Sequence, residues 1–162
     1  MDPGVISGQV ILCDYAQVHS GKLYVVGAGV NYVTTMIAEP PHPINVSAGV
    51  IVTVPWNAHN QAHRLSVRLE DEDSNPVPFA QPLPGAQVPE NFDGSLTAQF
   101  NAGRSPIMQS GDESLMPLAV ALNIGVPKLG VYRVVLDVNG SEAAIARFRV
   151  VHMQMTNLQA TG

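Results

Sequence analysis

Residues 132–150 read YRVVLDVNGSEAAIARFRV, and they carry the clearest structural signal in the chain. Apolar and polar side chains alternate on both sides of an Asn-Gly pair, as they do where one face of a sheet is buried. Asn139 and Gly140 both tolerate the positive φ angles of a type I′ turn. The segment therefore predicts an antiparallel hairpin with these apolar residues on one face: Tyr132, Val134, Leu136, Val138, Ala144, Ala146, Phe148 and Val150.

The same period of two recurs along the whole chain and predicts about eight or nine strands. Ser20-Gly21 is expected to turn a second hairpin, whose first strand is apolar on both faces. Pro117 places its strand near a sheet edge, because proline cannot donate to a ladder. The predicted strands span 9–18, 22–26, 30–35, 44–54, 63–70, 96–101, 116–124, 132–138 and 144–150.

Proline, glycine, asparagine and aspartate separate these strands at intervals typical of a β-sandwich, and no long amphipathic helix competes with them. We therefore expect an all-β fold, a single antiparallel β-sandwich of immunoglobulin-like or C2-like type. A length of 162 residues suits one domain. We assign residues 1–151 to the sandwich and residues 152–162 to a polar C-terminal tail. Tyr132, Leu136, Val67 and Phe100 are expected to share one core.

The composition limits the kinds of partner that we expect the protein to bind and the cellular compartment in which we expect it. The chain is 46% hydrophobic and 13% charged, with a net charge of -5. Its six arginines are scattered singly in the sequence, so no basic stripe predicts nucleic-acid binding. No apolar run approaches the roughly eighteen residues that a membrane helix needs. The N-terminus lacks the features of a secretory signal peptide, so we expect a cytoplasmic protein or part of an intracellularly assembled particle.

Several segments together resemble a known group of proteins. They are KLGVYRVVL at 128–136, RFRV at 147–150, HRLSVRLEDEDSNPV at 63–77, LCDYA at 12–16 and GKLYVVGAG at 21–29. The first three look like hairpins of immunoglobulin-like and C2-like modules. Taken together, the segments resemble a family of uncharacterised, mostly actinobacterial single-domain proteins. The resemblance implies a β-sandwich and assigns no activity.

An acidic turn is the first candidate site. Asp71, Asp73 and Asn75 stand at alternate positions, a spacing by which loops present oxygen ligands to calcium. Pro76 departs from the pattern of a calcium loop, which has glycine at that position. The alternative is a solvated hairpin turn in which Asp and Asn side chains bond to their own backbone.

Three other residue types suggest weaker candidates. Trp56 follows a proline at a strand end and could stack on a sugar, or pack as a core or loop residue. His59 and His63 have a zinc-like spacing, but they fall on a loop and a strand, where that spacing does not converge the rings. Cys13 is expected to be a buried thiol and not a nucleophile.

No combination of acid, base, nucleophile or metal ligands emerges, so we expect a non-enzymatic structural or interaction protein without a cofactor. Low charge density and apolar first strands favour contact with other protein subunits, in a homo-oligomer or a larger assembly. A decoration or minor structural subunit of a phage-like particle is one such role. The alternative is a free binding module for calcium or a glycan. Neither nucleic acid nor membrane is an expected partner.

Overall fold

The computed structural model describes residues 5–81, 84–88 and 90–154, and their fold is all-β, as predicted. The only helical element in these ranges is a 3-10 turn at Trp56–Ala58. The predicted tail begins inside the last strand, and its residues 155–162 lie outside the described part. The strands are β1 Ser7–Cys13, β2 Tyr15–His19, β3 Lys22–Val26, β4 Tyr32–Thr35, β5 His42–Val54, β6 Ala62–Asp71, β7 Pro76–Val77, β8 Leu96–Asn101, β9 Ser114–Val126, β10 Gly130–Val138 and β11 Ser141–His152.

Two of these strands go beyond the nine segments with alternating side chains. The predicted strand 9–18 is broken at Asp14, whose backbone N–H bonds to the carbonyls of Val26 and Gly27 at 3.0 and 3.2 Å. Its second half, β2, pairs only with β3. The two-residue β7 is too short to show a period of two, so the alternation of side chains could not predict it.

The C-terminal hairpin is confirmed, and its turn is fastened to a third strand. Asn139 and Gly140 adopt φ angles of 53° and 81° between β10 and β11. The Asn139 side chain accepts a bond from the Arg64 backbone N–H at 3.0 Å, and its backbone N–H donates to the Arg64 carbonyl at 2.8 Å. The side-chain amide of Asn139 also lies 3.0 Å from His63 Nδ1. These bonds fix β10 beside β6.

The strands form two main sheets. The first has the order β1-β5-β9, with both pairings antiparallel. The second runs β4-β11-β10-β6, with β7 and β8 both paired to β6. The expectation of one wholly antiparallel sandwich is wrong, because β4 lies parallel to β11 and makes the second sheet mixed. Alternation shows which side chains share a face, but it carries no information on the direction of the neighbouring strand.

One hydrophobic cluster is built from both sheets. The core-facing side chains of β5 are all buried, and they meet buried residues of β6, β10 and β11. Tyr132 and Phe148 stack with ring centroids 5.9 Å apart. Tyr132, Leu136 and Val67 lie in this core as predicted, and Phe100 packs against it partly buried.

The β2-β3 hairpin forms a further layer on the outer face of the first sheet. It sits above Gly49 of β5, where an added Cβ would lie 3.0 Å from both Leu23 and Val25. Glycine therefore lets the hairpin approach the strand closely. The hairpin therefore covers the outside of β5, whereas β1 meets the core through Leu12. Tyr15 of β2 remains 54% exposed.

The Tyr132 hydroxyl provides a test of the packing at the start of β10. It donates to the Lys128 carbonyl at 2.6 Å and accepts from the Lys128 N–H at 3.3 Å, while the residue is 1% exposed. We expect Tyr132→Phe to lower the free energy of unfolding by about 1–2 kcal/mol, because both backbone groups lose a partner. Urea denaturation measures this. Tyr15→Phe, at a residue 54% exposed, is the matched control and should leave stability unchanged. Equal effects of the two changes would contradict the packing described.

Candidate functional site

The acidic turn after β6 is organised around the carboxylate of Asp71. Its Oδ1 accepts bonds from the backbone N–H groups of Asp73 and Asn75, both at 2.9 Å. Its Oδ2 accepts from the Asn75 side-chain amide at 3.2 Å. The residue itself is 5% exposed. Asp71 thus serves as the acceptor that closes its own turn.

A lysine from the β9-β10 connection completes this cluster. Lys128 Nζ lies 3.4 Å from Asp71 Oδ2 and 3.3 Å from Asp73 Oδ2. The hydrogen bond from the Asn75 backbone is the main cause that lowers the pKa of Asp71. For Lys128, the hydrogen bond to the Asp73 side chain is the main cause that raises the pKa. The ion pairs hold the turn against the start of β10.

The calcium site predicted at Asp71, Asp73 and Asn75 stays a prediction. The three residues do lie together, but the Lys128 ammonium occupies the side on which Asp71 and Asp73 converge. A calcium ion entering there would have to displace that ammonium. Within the described ranges, no cluster of three or more His, Cys, Asp or Glu residues could hold a metal ion.

Trp56, the predicted sugar-stacking residue, begins the 3-10 turn and is half-buried. The Arg104 guanidinium carbon lies 3.8 Å from the centre of its ring, and Arg104 Nη2 donates to the Trp56 carbonyl at 2.9 Å. A cation over the indole face is attracted by the ring's quadrupole. One face of the ring is therefore covered, and a glycan would need the other face. Sugar stacking stays a prediction.

His59 and His63 act as separate structural links. His59 Nδ1 lies 2.9 Å from the Pro55 carbonyl, and its Nε2 lies 2.7 Å from Ser114 Oγ, which joins the 3-10 turn to β9. His63 Nε2 lies 2.6 Å from the Ala58 carbonyl. Both rings are buried. Their nitrogens bond to different partners and do not converge on one point.

Cys13 is fully buried at the end of β1. Its Sγ donates to the Ser47 carbonyl at 3.5 Å. Burial raises the pKa of the thiol. Because the thiolate is the reactive form, this environment makes Cys13 a poor nucleophile near neutral pH.

The free edge of β9 is the surface feature that the sequence indicates least directly. β9 pairs with β5 along its whole length of 13 residues, and no described strand pairs with its other side. Pro117 does lie in an edge strand, as predicted. Residues 114–126 carry no charged side chain. Natural edge strands often carry charges that prevent pairing with another chain. The absence of charge in this segment was therefore a second indication, besides Pro117, that the edge is open to pairing.

Core-facing residues of β9 are incompletely covered at this edge. Met116, Leu118 and Ile124 pack against the core but remain partly exposed. Leu115, at the start of the strand, is 64% exposed. An additional strand beside β9 would remove apolar surface from water as well as satisfy backbone groups.

These features define a protein of the all-β class whose described surface offers an apolar strand edge. Residues 9–151 match the model of DUF6941, a family of unknown function, and the chain belongs to that family. The predicted resemblance to a family of uncharacterised single-domain proteins is thereby confirmed. No curated protein matches the sequence. The described residues contain no helix with the length and apolarity needed to cross a membrane.

The carboxylate of Asp71 predicts a pH-dependent contribution to stability. Because its folded-state pKa lies below the ordinary value of 3.8, the contribution is present above that pH and is lost as pH falls through the lowered value. We expect Asp71→Asn to melt at a lower temperature than wild type near neutral pH, with the difference shrinking below pH 3.8. Melting curves across acidic pH measure it. Asp73→Asn, with a side chain 71% exposed, should show a smaller effect.

Calcium titration tests the predicted ligand loop directly. The calcium hypothesis expects millimolar calcium to raise the melting temperature, because a ligand that binds only the native state stabilises it. Lys128→Ala removes the competing ammonium and should enlarge that rise, whereas magnesium should have less effect than calcium. No rise in either protein would exclude a calcium site at this turn.

Proposed function

We propose that this protein is a non-enzymatic structural and interaction module that joins a larger assembly by strand addition at β9. The observation that carries the proposal is the open, uncharged edge of this strand. An unpaired row of N–H and C=O groups is a template for another strand, and proteins that remain monomeric usually protect it. A decoration or minor structural subunit of a phage-like particle or another multimeric shell would use such an edge.

The position of Pro117 indicates which residues of β9 offer their backbone outward. Proline lacks the N–H, so within a sheet it occupies positions whose backbone faces solvent. Backbone groups of an antiparallel strand alternate between its two sides. Ala119, Ala121 and Asn123 share the parity of Pro117, so they present their N–H and C=O groups to the free edge.

A second copy of the chain is the partner that we propose for this edge. Two β9 strands paired antiparallel about a two-fold axis would bring no charges into opposition, since residues 114–126 are uncharged. Such pairing would cover Met116, Leu118 and Ile124 of both copies. The two three-stranded sheets would then form one continuous sheet across the interface.

The strand arrangement supports an immunoglobulin-like sandwich as the framework of this module. The orders β1-β5-β9 and β6-β10-β11 correspond to the A-B-E and C-F-G groupings of that fold. The Tyr132 hydroxyl, bonded to the backbone of Lys128 four residues upstream, is placed like the tyrosine corner of such domains. The burial of Cys13 and the hydrogen-bonded rings of His59 and His63 favour a non-enzymatic role.

A charge-swap experiment at Ala121 tests the proposal. Ala121 is exposed on β9, so a charged side chain there should not disturb the core. We expect wild type to have twice the mass of the 17.2 kDa chain in size-exclusion chromatography with light scattering. Ala121→Lys and Ala121→Glu should each be monomeric, because like charges then face each other near the two-fold axis. An equal mixture of the two variants should restore the dimer.

Gln17 provides the matched control, because it is exposed on β2, a strand that pairs with β3 and not with β9. Gln17→Lys and Gln17→Glu introduce the same charges and should leave the dimer intact. A monomeric wild type would refute self-assembly through β9. So would a dimer that survives both Ala121 substitutions.

A further inference from the structure

The fold gathers most of the arginines onto one surface. Five of the six arginines lie on the second sheet, on the face directed away from the core. They alternate with buried apolar residues in β6, β10 and β11, which are neighbours in space although far apart in sequence. We call this surface the arginine face, and it comprises Arg64, Arg68, Arg133, Arg147 and Arg149.

Two of these arginines are neutralised within the protein. Arg68 forms ion pairs with Glu70, at 3.1 Å, and with Asp137. Arg133 Nη2 lies 2.6 Å from Glu70 Oε1. Glu70 is 8% exposed, so it is fixed between the two guanidinium groups. These ion pairs neutralise the charges of Arg68 and Arg133 in the folded protein.

Arg147 and Arg149 differ, because they are exposed and form no ion pair with any described residue. Arg147 stands directly opposite Arg133 in the β10-β11 ladder. Like charges at opposed positions destabilise a sheet pair. The ion pair of Arg133 with Glu70 offsets part of this repulsion, whereas the charge of Arg147 itself has no counter-ion among the described residues.

Apolar and aromatic surface lies next to this pair of cations. Tyr32 of β4 stands beside Arg149 in register and is 66% exposed. On the other side of Arg149, an open groove of 470 Å³ is lined by the apolar residues Leu129, Val131 and Val151, and Glu72 contributes one carboxylate to its lining. Tyrosine and arginine, like tryptophan, are enriched at the energetic centres of protein interfaces.

We propose that the end of the arginine face formed by Arg147 and Arg149 binds an extended acidic segment of another protein. Side chains two residues apart on a strand are about 6.6–6.8 Å apart. Carboxylates at alternate positions of an extended peptide therefore match the spacing of Arg147 and Arg149. An apolar side chain of the same segment enters the groove beside Leu129. The partner thus supplies the negative charge that the sheet leaves unpaired.

A polypeptide fits this face better than a nucleic acid. Glu70 and Asp137 are interspersed among the arginines, and the chain has a net charge of -5. A continuous phosphate backbone would be repelled by these carboxylates, whereas a peptide can place its acidic residues only where arginines stand. This surface belongs to the second sheet, so it is independent of the β9 edge on the first.

The probe for this proposal is a short fluorescent peptide with glutamate at alternate positions and one leucine. Fluorescence anisotropy should show binding that weakens as salt is raised. We expect Arg147→Gln and Arg149→Gln each to raise the Kd about threefold, and the double variant about tenfold, as for exposed ion pairs. Arg147→Gln should not lower the melting temperature, because Arg147 forms no ion pair with a described residue. If Arg147 had only a structural role, Arg147→Gln would lower the melting temperature and leave the Kd unchanged, which would contradict the proposal.

Arg64→Gln is the matched control: it removes an exposed charge from the same face, at the far end of β6. It should leave the Kd for the peptide unchanged. Equal binding of a peptide with glutamine in place of glutamate would overturn the proposal. Tighter binding of an oligothymidylate than of the acidic peptide would also overturn it and would identify a nucleic-acid partner instead.

Discussion

Burial of both faces of β5 is the constraint on which the rest of the structure depends. Val46, Val50 and Val54 of this strand lie in the core, while Gly49 on the opposite face lies beneath the β2-β3 hairpin. Complete burial of a valine side chain contributes about 1.5–3 kcal/mol, so the core face holds the two sheets together. The outer face accepts the hairpin only because Gly49 has no side chain.

The sequence predicted those parts of the fold in which one local rule governs the outcome. Alternation identified the core faces of β5 and β10, and Asn139-Gly140 identified the β10-β11 hairpin, since both signals lie within a few residues. The parallel pairing of β4 with β11 joins segments more than 110 residues apart, and no local pattern encodes it. The break at Asp14 depends on hydrogen bonds from its backbone N–H to the carbonyls of Val26 and Gly27. The alternation of side chains does not encode these bonds either.

The candidate sites divide in the same way. The turn chemistry of Asp71 and Asn75 was predictable, whereas the contact with Lys128, 57 residues away from Asp71, was not. Arginines that look scattered in sequence converge because β6, β10 and β11 are adjacent in one sheet. A strand edge and a charged face thus arise from topology, on different sheets.

The bonds of Asn139 also distinguish the hairpins as places for molecular engineering. Exposed turns usually tolerate inserted sequence. The β10-β11 turn should not, because an insertion there would pull Asn139 away from the backbone of Arg64 and the ring of His63. At the β2-β3 turn, an added side-chain atom on Gly21 would meet nothing within 4 Å. A fluorophore or an affinity tag introduced at that tip would therefore lie outside the core of the protein.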